Sequence, residues 1–121
     1  MRHLGQLEAA VMQHLWHQAD AVSVREVREA LARERPLAYT TVMTVMDNLH
    51  SKGLVAREKQ GKAYLYTPVS SRDEHTAEVL QEVLADSEDR TAALMHLVGK
   101  MERTEAAELL AALTDRVDDS T

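Results

Sequence analysis

Residues 36–68 read PLAYTTVMTVMDNLHSKGLVAREKQGKAYLYTP. No Gly or Pro interrupts Tyr39 to Lys52, and Gly53 follows, the residue that most readily ends a helix in the left-handed conformation. Val42, Val45, Met46 and Leu49 recur at i, i+3, i+4 and i+7, the spacing of one apolar helix stripe. The opposite face carries Thr40, Thr44, Asp47, Asn48 and Ser51, with Tyr39 and Met43 on one flank. Short hydroxyl and amide side chains suit base edges and phosphates, and threonine and methionine methyls suit the thymine methyl. A solvated amphipathic helix has the same pattern, and the helix alone favours that plainer reading.

The segment after Gly53 changes the balance. Leu54 to Lys59, then Gln60-Gly61, then Lys62 to Pro68 reads strand, glycine turn, strand: a β-hairpin with aromatic content on its second arm. Arg57, Lys59 and Lys62 gather positive charge around the turn, where a phosphate backbone could pass. A charged hairpin tip is ordinary by itself. Hung directly on a helix with a polar reading face, it points to nucleic acid.

The 121 residues make one small domain, or a domain with an appendage. There is no cysteine, so disulfides and thiolate metal sites are excluded. No apolar run approaches the roughly 18 residues of a membrane span, and the N-terminus lacks a signal-peptide pattern, so a cytoplasmic protein is expected. The net charge of −6 looks wrong for a DNA binder until it is divided. Residues 1–67 hold nine Lys/Arg and seven Asp/Glu, whereas residues 68–121 hold five and thirteen. Binding senses local potential, so the split matters more than the total.

In chain order, residues 1–5 read as a lead-in. Gln6 to about Gln18 forms a helix burying Leu7, Val11 and Leu15, with Met12 and Trp16 alongside. Trp16, the only tryptophan, is expected to be the largest core anchor of the N-terminal part. His14 and His17 stand three apart without a supporting carboxylate or cysteine, which favours surface histidines over a metal site. Asp20-Ala21-Val22 is a break that could hold an edge strand beside the wing. Ser23 and Glu26 have capping-box spacing for a helix burying Val24, Val27 and Leu31 and ending near Arg33. Glu34-Arg35-Pro36 is the turn into the next helix. In such an arrangement the second helix of the motif enters the major groove and the first braces it.

After Pro68 the chemistry changes. Ser71 and Glu74 repeat the capping box for a helix reaching about Ala85, with Leu80, Val83 and Leu84 apolar. Residues 86–89 break it and cap a second helix with Leu94, Leu97, Val98 and Met101, and Gly99 near its end. A third starts at Thr104 and carries Leu109, Leu110, Leu113 and Val117, with 118–121 as a frayed tail. Three thin stripes in about 50 residues make a weak core alone. Folding back onto the N-terminal half would cover them, but pairing with a second copy is favoured, because two-fold symmetry doubles the DNA contacts. The expected fold is therefore mostly α with a small β-wing: a winged helix-turn-helix domain at 1–69 and a helical dimerisation domain at 70–121. The dimer contact is assigned to Leu80, Leu84, Leu94, Leu97, Val98, Met101, Leu109, Leu110 and Leu113.

The sequence resembles the penicillinase repressors, the BlaI/MecI type, with the related copper-responsive CopY type. The likeness is strongest in Ala38 to Leu49, AYTTVMTVMDNL, and in Lys52-Gly53-Leu54-Val55. Gly61 to Pro68 extends it through the wing, and Leu7 to Met12 with Leu15-Trp16 resembles the family's first helix. It implies a homodimeric transcriptional repressor on a palindromic operator ahead of β-lactamase or resistance genes. It implies derepression when a membrane sensor-protease, acting indirectly, leads to cutting in the dimerisation region. By position the bond would be His96–Leu97, where better-known members carry Asn-Phe. Leu97 also reads as a buried dimer-core residue. The absence of cysteine argues against the copper-responsive branch.

The two readings together give residue roles. Thr40, Thr41, Met43, Thr44 and Asp47, with Tyr39 at the flank, face the major groove or its phosphates. Asp47 is the odd member: it can accept from a cytosine amino group or simply solubilise the face. Arg57, Lys59, Lys62 and Tyr64 hold phosphates from the wing. No cofactor is expected. The competing reading is a winged-helix protein-interaction module that has lost DNA binding, motivated by the acidic total. An enzyme is disfavoured by the lack of a glycine-rich phosphate loop, metal set or nucleophile–base pair. A ligand-sensing pocket is disfavoured because residues 68–121 hold no Phe, Tyr or Trp.

Overall fold

A computed structural model describes residues 4–119. The elements are α1 (Gln6–Trp16), β1 (Val22–Ser23), α2 (Val24–Leu31), α3 (Tyr39–Ser51), β2 (Val55–Gln60), β3 (Ala63–Pro68), α4 (Arg72–Ala85), α5 (Arg90–Val98) and α6 (Arg103–Asp118). This is a mostly helical chain with a small three-stranded antiparallel sheet in the order β1-β3-β2. The edge strand expected at 20–22 lies at Val22–Ser23, with Val22 opposite Tyr66 and Ser23 opposite Leu65. The expected lead-in over residues 1–3 and the last two residues of the expected tail lie outside the described residues.

The chain divides into two compact units, Met1–Leu80 and Gln81–Thr121. In the first, α1 contributes Val11, Met12 and Leu15 to the core, α2 Val24 and Val27, and α3 Val42, Met46 and Leu49. Val22, Val55 and Tyr66 close it from the strands, with Val45, Leu31 and Trp16 partly buried against it. Tyr66, at 2% exposure, is the largest fully buried side chain, the place expected for Trp16. An indole N–H needs an acceptor, and Trp16 finds one at the edge: its Nε1 donates to the Ser70 carbonyl over 3.1 Å. Its ring centroid lies 5.4 Å from that of His75 on α4. The first turns of α4 therefore go with this unit.

Local chemistry sets the boundaries that aim α3. Gly53 has φ 78. Its amide donates to His50 O and that of Leu54 to Leu49 O, both over 3.0 Å, a Schellman motif that only a residue tolerant of positive φ makes without strain. β2 thus comes directly after α3. The hairpin closes between Gln60 and Ala63 over the two residues Gly61-Lys62, and Gly61, at φ 66, takes the first central position of the turn. Before α3, Arg28 Nε donates to Leu37 O over 3.0 Å and ties α2 to the intervening turn. The capping expected for α2 is present, with Ser23 Oγ accepting from Glu26 N over 3.2 Å. That for α4 is reciprocal: Glu74 N donates to Ser71 Oγ (3.1 Å) and Ser71 N to Glu74 Oε1 (3.0 Å). The Ser71 amide, and then its hydroxyl, hold the Glu74 carboxyl below its ordinary value.

Lys52, at the end of α3, bonds Glu8 of α1 with Nζ 2.8 Å from Oε2, and Glu8 Oε1 also accepts from Gly5 N over 3.0 Å. The Lys52 ammonium, with the Gly5 amide adding to it, lowers the Glu8 pKa against the opposing effect of burial. A carboxylate whose folded pKa lies below its unfolded value stabilises fully above the unfolded value, and that contribution is lost as pH falls through the folded one. Glu8→Gln should therefore be less stable than wild type near neutrality, by about 1 kcal/mol or less. The difference in urea midpoint should vanish as pH falls below the ordinary carboxylate range. A difference that persists in acid would assign the effect to packing.

In the second unit, Asp89 caps α5 by accepting from Ala92 N over 3.1 Å. The helix ends at Val98 with Gly99 as its C-cap, so Met101, expected within it, lies in the turn before α6. α6 begins at Arg103, one residue before the expected Thr104, and stays helical through Asp118, where fraying is expected. No residue of α4, α5 or α6 is buried.

Candidate nucleic-acid interface

The burial of Val42, Met46 and Leu49 turns Thr40, Met43, Thr44 and Asp47 outward as an exposed stripe one helical face wide. Tyr39 and Thr41 are exposed at the start of α3. That helix has Ala38 as its N-cap, with no side-chain cap and no acidic residue in its first turn, leaving its positive end open to an anion. Gly53 and the Schellman turn then place the wing beside the same helix.

Register decides what the wing offers. Arg57 stands opposite Tyr66 and Lys59 opposite Tyr64, so these four side chains share one face of the hairpin. The two inner members are engaged. Arg57 Nη1 lies 2.8 Å from Asp47 Oδ1 and 3.4 Å from Tyr66 Oη, and its guanidinium carbon sits 4.3 Å from the centre of the Tyr64 ring. Lys59 and Lys62 are exposed at the outer end and make no ion pair among the described residues. Expectation gives Arg57 and Tyr64 to phosphates; in the structure Arg57 bonds Asp47 and lies over the Tyr64 ring. The signal for this lies in the alternation Val55-Arg57: a residue two along from a buried valine points to the same side, toward α3.

The remaining assigned residues lie on α4 to α6 and the turn before α6. Leu80, Leu94, Leu97, Val98, Leu109, Leu110 and Leu113 are exposed, while Leu84 and Met101 are half-buried. His96 and Leu97 are exposed within α5. His17, paired with His14 in the sequence, has Nδ1 2.6 Å from Gln13 O, and no group of three or more His, Asp or Glu among the described residues is placed to hold a metal. A polar depression of about 520 Å³ on the α1–α2 side is lined by His14, Gln18, Glu26, Glu29, Ala30 and Arg33, with no Phe, Tyr or Trp among them. Among the described residues, no helix is long and apolar enough to cross a membrane.

Comparison with known proteins gives a consistent picture. The profile of a family described as penicillinase repressor matches residues 4–115. A transcriptional regulator BlaI of Mycobacterium tuberculosis is 45% identical over 118 residues, spanning 95% of this chain and 86% of that protein. Among solved structures, the DNA-binding domain of the repressor BlaI superposes with a TM-score of 0.53 at 24% identity, over 60% of this chain and 87% of that one. MepR, a transcription regulator of the Staphylococcus aureus multidrug efflux pump MepA, superposes with a TM-score of 0.51 at 17% identity, over 98% of this chain and 81% of that one. At these identities the two structures support the winged-helix fold.

Proposed function

Because this chain belongs to the penicillinase repressor family, we propose that it is a transcriptional repressor that binds a palindromic operator as a homodimer. Residues 1–69 read DNA and residues 70–121 dimerise. The observation that carries this is the outward stripe of α3 beside a wing whose outer lysines make no ion pair among the described residues. α3 lies in the major groove, where Thr40, Thr44 and Met43 meet base edges and Tyr39 and Thr41 meet flanking phosphates. Lys59 and Lys62 hold phosphates on the next stretch of backbone. The exposed leucines of α4 to α6 are covered by the second copy. Derepression results from cutting in the dimerisation region at or near His96–Leu97, set off through a membrane sensor-protease, and the regulated genes are of the β-lactamase or resistance type.

The acidic total does not oppose DNA binding, because the acid is concentrated beyond residue 68. Two wing lysines per protomer, four in the dimer, should alone make log K fall by about 3.6 per tenfold rise in salt. The test is binding to duplexes from upstream of the gene and its neighbours across a salt series. Thr44→Ala should relax sequence preference with little change in salt slope. Lys62→Ala should weaken all duplexes alike and flatten the slope by about 0.9 per protomer. A chain that binds no duplex selectively would instead be a protein-interaction module.

A further inference from the structure

We propose that Asp47 is a base-reading residue selecting an exocyclic amino group, cytosine N4 or adenine N6, and that Arg57 is the positioning residue that aims it. The proposal rests on the DNA-binding reading above and assigns to one side chain a chemical preference within it. A carboxylate on a face turned toward a polyanion is repelled by every phosphate it approaches. The only groups in the major groove that suit it are donors. Cytosine and adenine present amino groups there, whereas guanine and thymine present acceptors on the corresponding edge.

The geometry supplies the rest. Asp47 is aligned with Thr40 and Thr44 along the exposed stripe of α3, and its side chain is 53% exposed. Arg57 holds only Oδ1, at 2.8 Å, so Oδ2 is left to accept from a base. Arg57 is itself fixed on three sides: the Tyr64 ring lies under its guanidinium, the Tyr66 hydroxyl reaches it from the core, and Asp47 stands in front. At 25% exposure it does not project as a free phosphate ligand would. The carboxylate is thus ordered before DNA arrives, which lowers the entropic cost of the base contact. The same pair cancels the charge of Arg57, so Arg57 adds nothing to counterion release.

The alternative, in which Arg57 swings out to a phosphate, predicts opposite numbers. Wild type, Arg57→Gln, Asp47→Ala, Arg57→Lys and Lys62→Ala are compared by selection from a randomised duplex pool and by salt titration on the wild-type sequence. Tryptophan emission confirms that each is folded. Arg57→Gln should keep the wild-type salt slope, whereas Lys62→Ala flattens it by about 0.9 per protomer. Asp47→Ala should steepen the slope by about 0.9 per protomer, because the released guanidinium finds a phosphate. Arg57→Gln and Asp47→Ala should both lose about tenfold or more preference for C or A at one position of each half-site. Arg57→Lys should restore part of that preference, since it keeps the charge but not the planar fork. A slope that Arg57→Gln flattens as Lys62→Ala does, or a base preference that survives Asp47→Ala, overturns this assignment alone. If wild type selects no sequence at all, the repressor reading falls and takes this one with it.

Discussion

Aspartate in place of both Leu110 and Leu113 should convert a dimer into a monomer and weaken operator binding by about 100-fold or more, leaving the winged unit folded. Both leucines lie on α6, at 64% and 53% exposure, and Val117 one turn further on is at 67%. Together with Thr114 and Asp118 the three line an apolar depression of about 280 Å³. Exposed apolar surface of this kind, spread over helices that bury nothing, is what a second copy would remove from water. Two carboxylates buried at that contact would lack partners in a segment that is already acidic. The loss on DNA is large because a dimer gains its second half-site at high effective concentration, which a monomer forfeits. Sedimentation velocity gives the oligomeric state, and binding to paired and single half-sites gives the affinity. A double variant that stays dimeric would move the contact to α4 or α5. One that is monomeric yet binds the paired site like wild type would sink the symmetric mode of reading.

Tyr66→Ala should be the most damaging truncation in the winged unit, costing about 3–5 kcal/mol. Tyr66 is at the centre of the three-stranded sheet, opposite Val22 on one side and Arg57 on the other. Its ring is the largest fully buried side chain and packs within the cluster that holds α1, α2 and α3 together. Truncation removes its contacts and leaves a cavity bounded by elements that cannot all collapse inward. For a unit of this size each kcal/mol is worth roughly 4–8 °C of melting temperature, so thermal unfolding should shift by more than 10 °C. Tyr66→Phe keeps the ring and loses only a long hydroxyl contact to Arg57, so its cost should stay within about 1 kcal/mol. Comparable losses from the two substitutions would mean that the hydroxyl, not the ring, holds the wing.

Short-range chemistry was legible in the sequence. Gly53 announces its own helix end, Gly61 its own turn, and Ser71 with Glu74 its own cap, because each depends on residues within five positions. The apolar stripe of α3 is a matter of spacing, and it buried as spacing requires. Contacts joining distant residues were illegible for the opposite reason. Glu8 and Lys52 are 44 positions apart and Trp16 and Ser70 are 54 apart, and nothing local distinguishes them from ordinary surface pairs. Size misled at Trp16: bulk argues for the centre, but the indole N–H draws the residue to a carbonyl at the edge. Arg57 is the instructive case. Its charge was legible at once, whereas its bond to Asp47 follows from its place in the strand alternation, opposite Tyr66.

The contact between Trp16 and the start of α4 has a practical consequence. The protein contains one tryptophan, and that residue is lodged between the Ser70 carbonyl and the His75 ring, where the winged unit meets α4. Its emission therefore comes from a single, known environment. Unseating the helix would expose the indole to water and shift that emission to the red, with no second fluorophore of the same kind to mask the change. The chain carries a built-in optical gauge of whether α4 is docked, readable on the unlabelled protein and in real time as DNA is added.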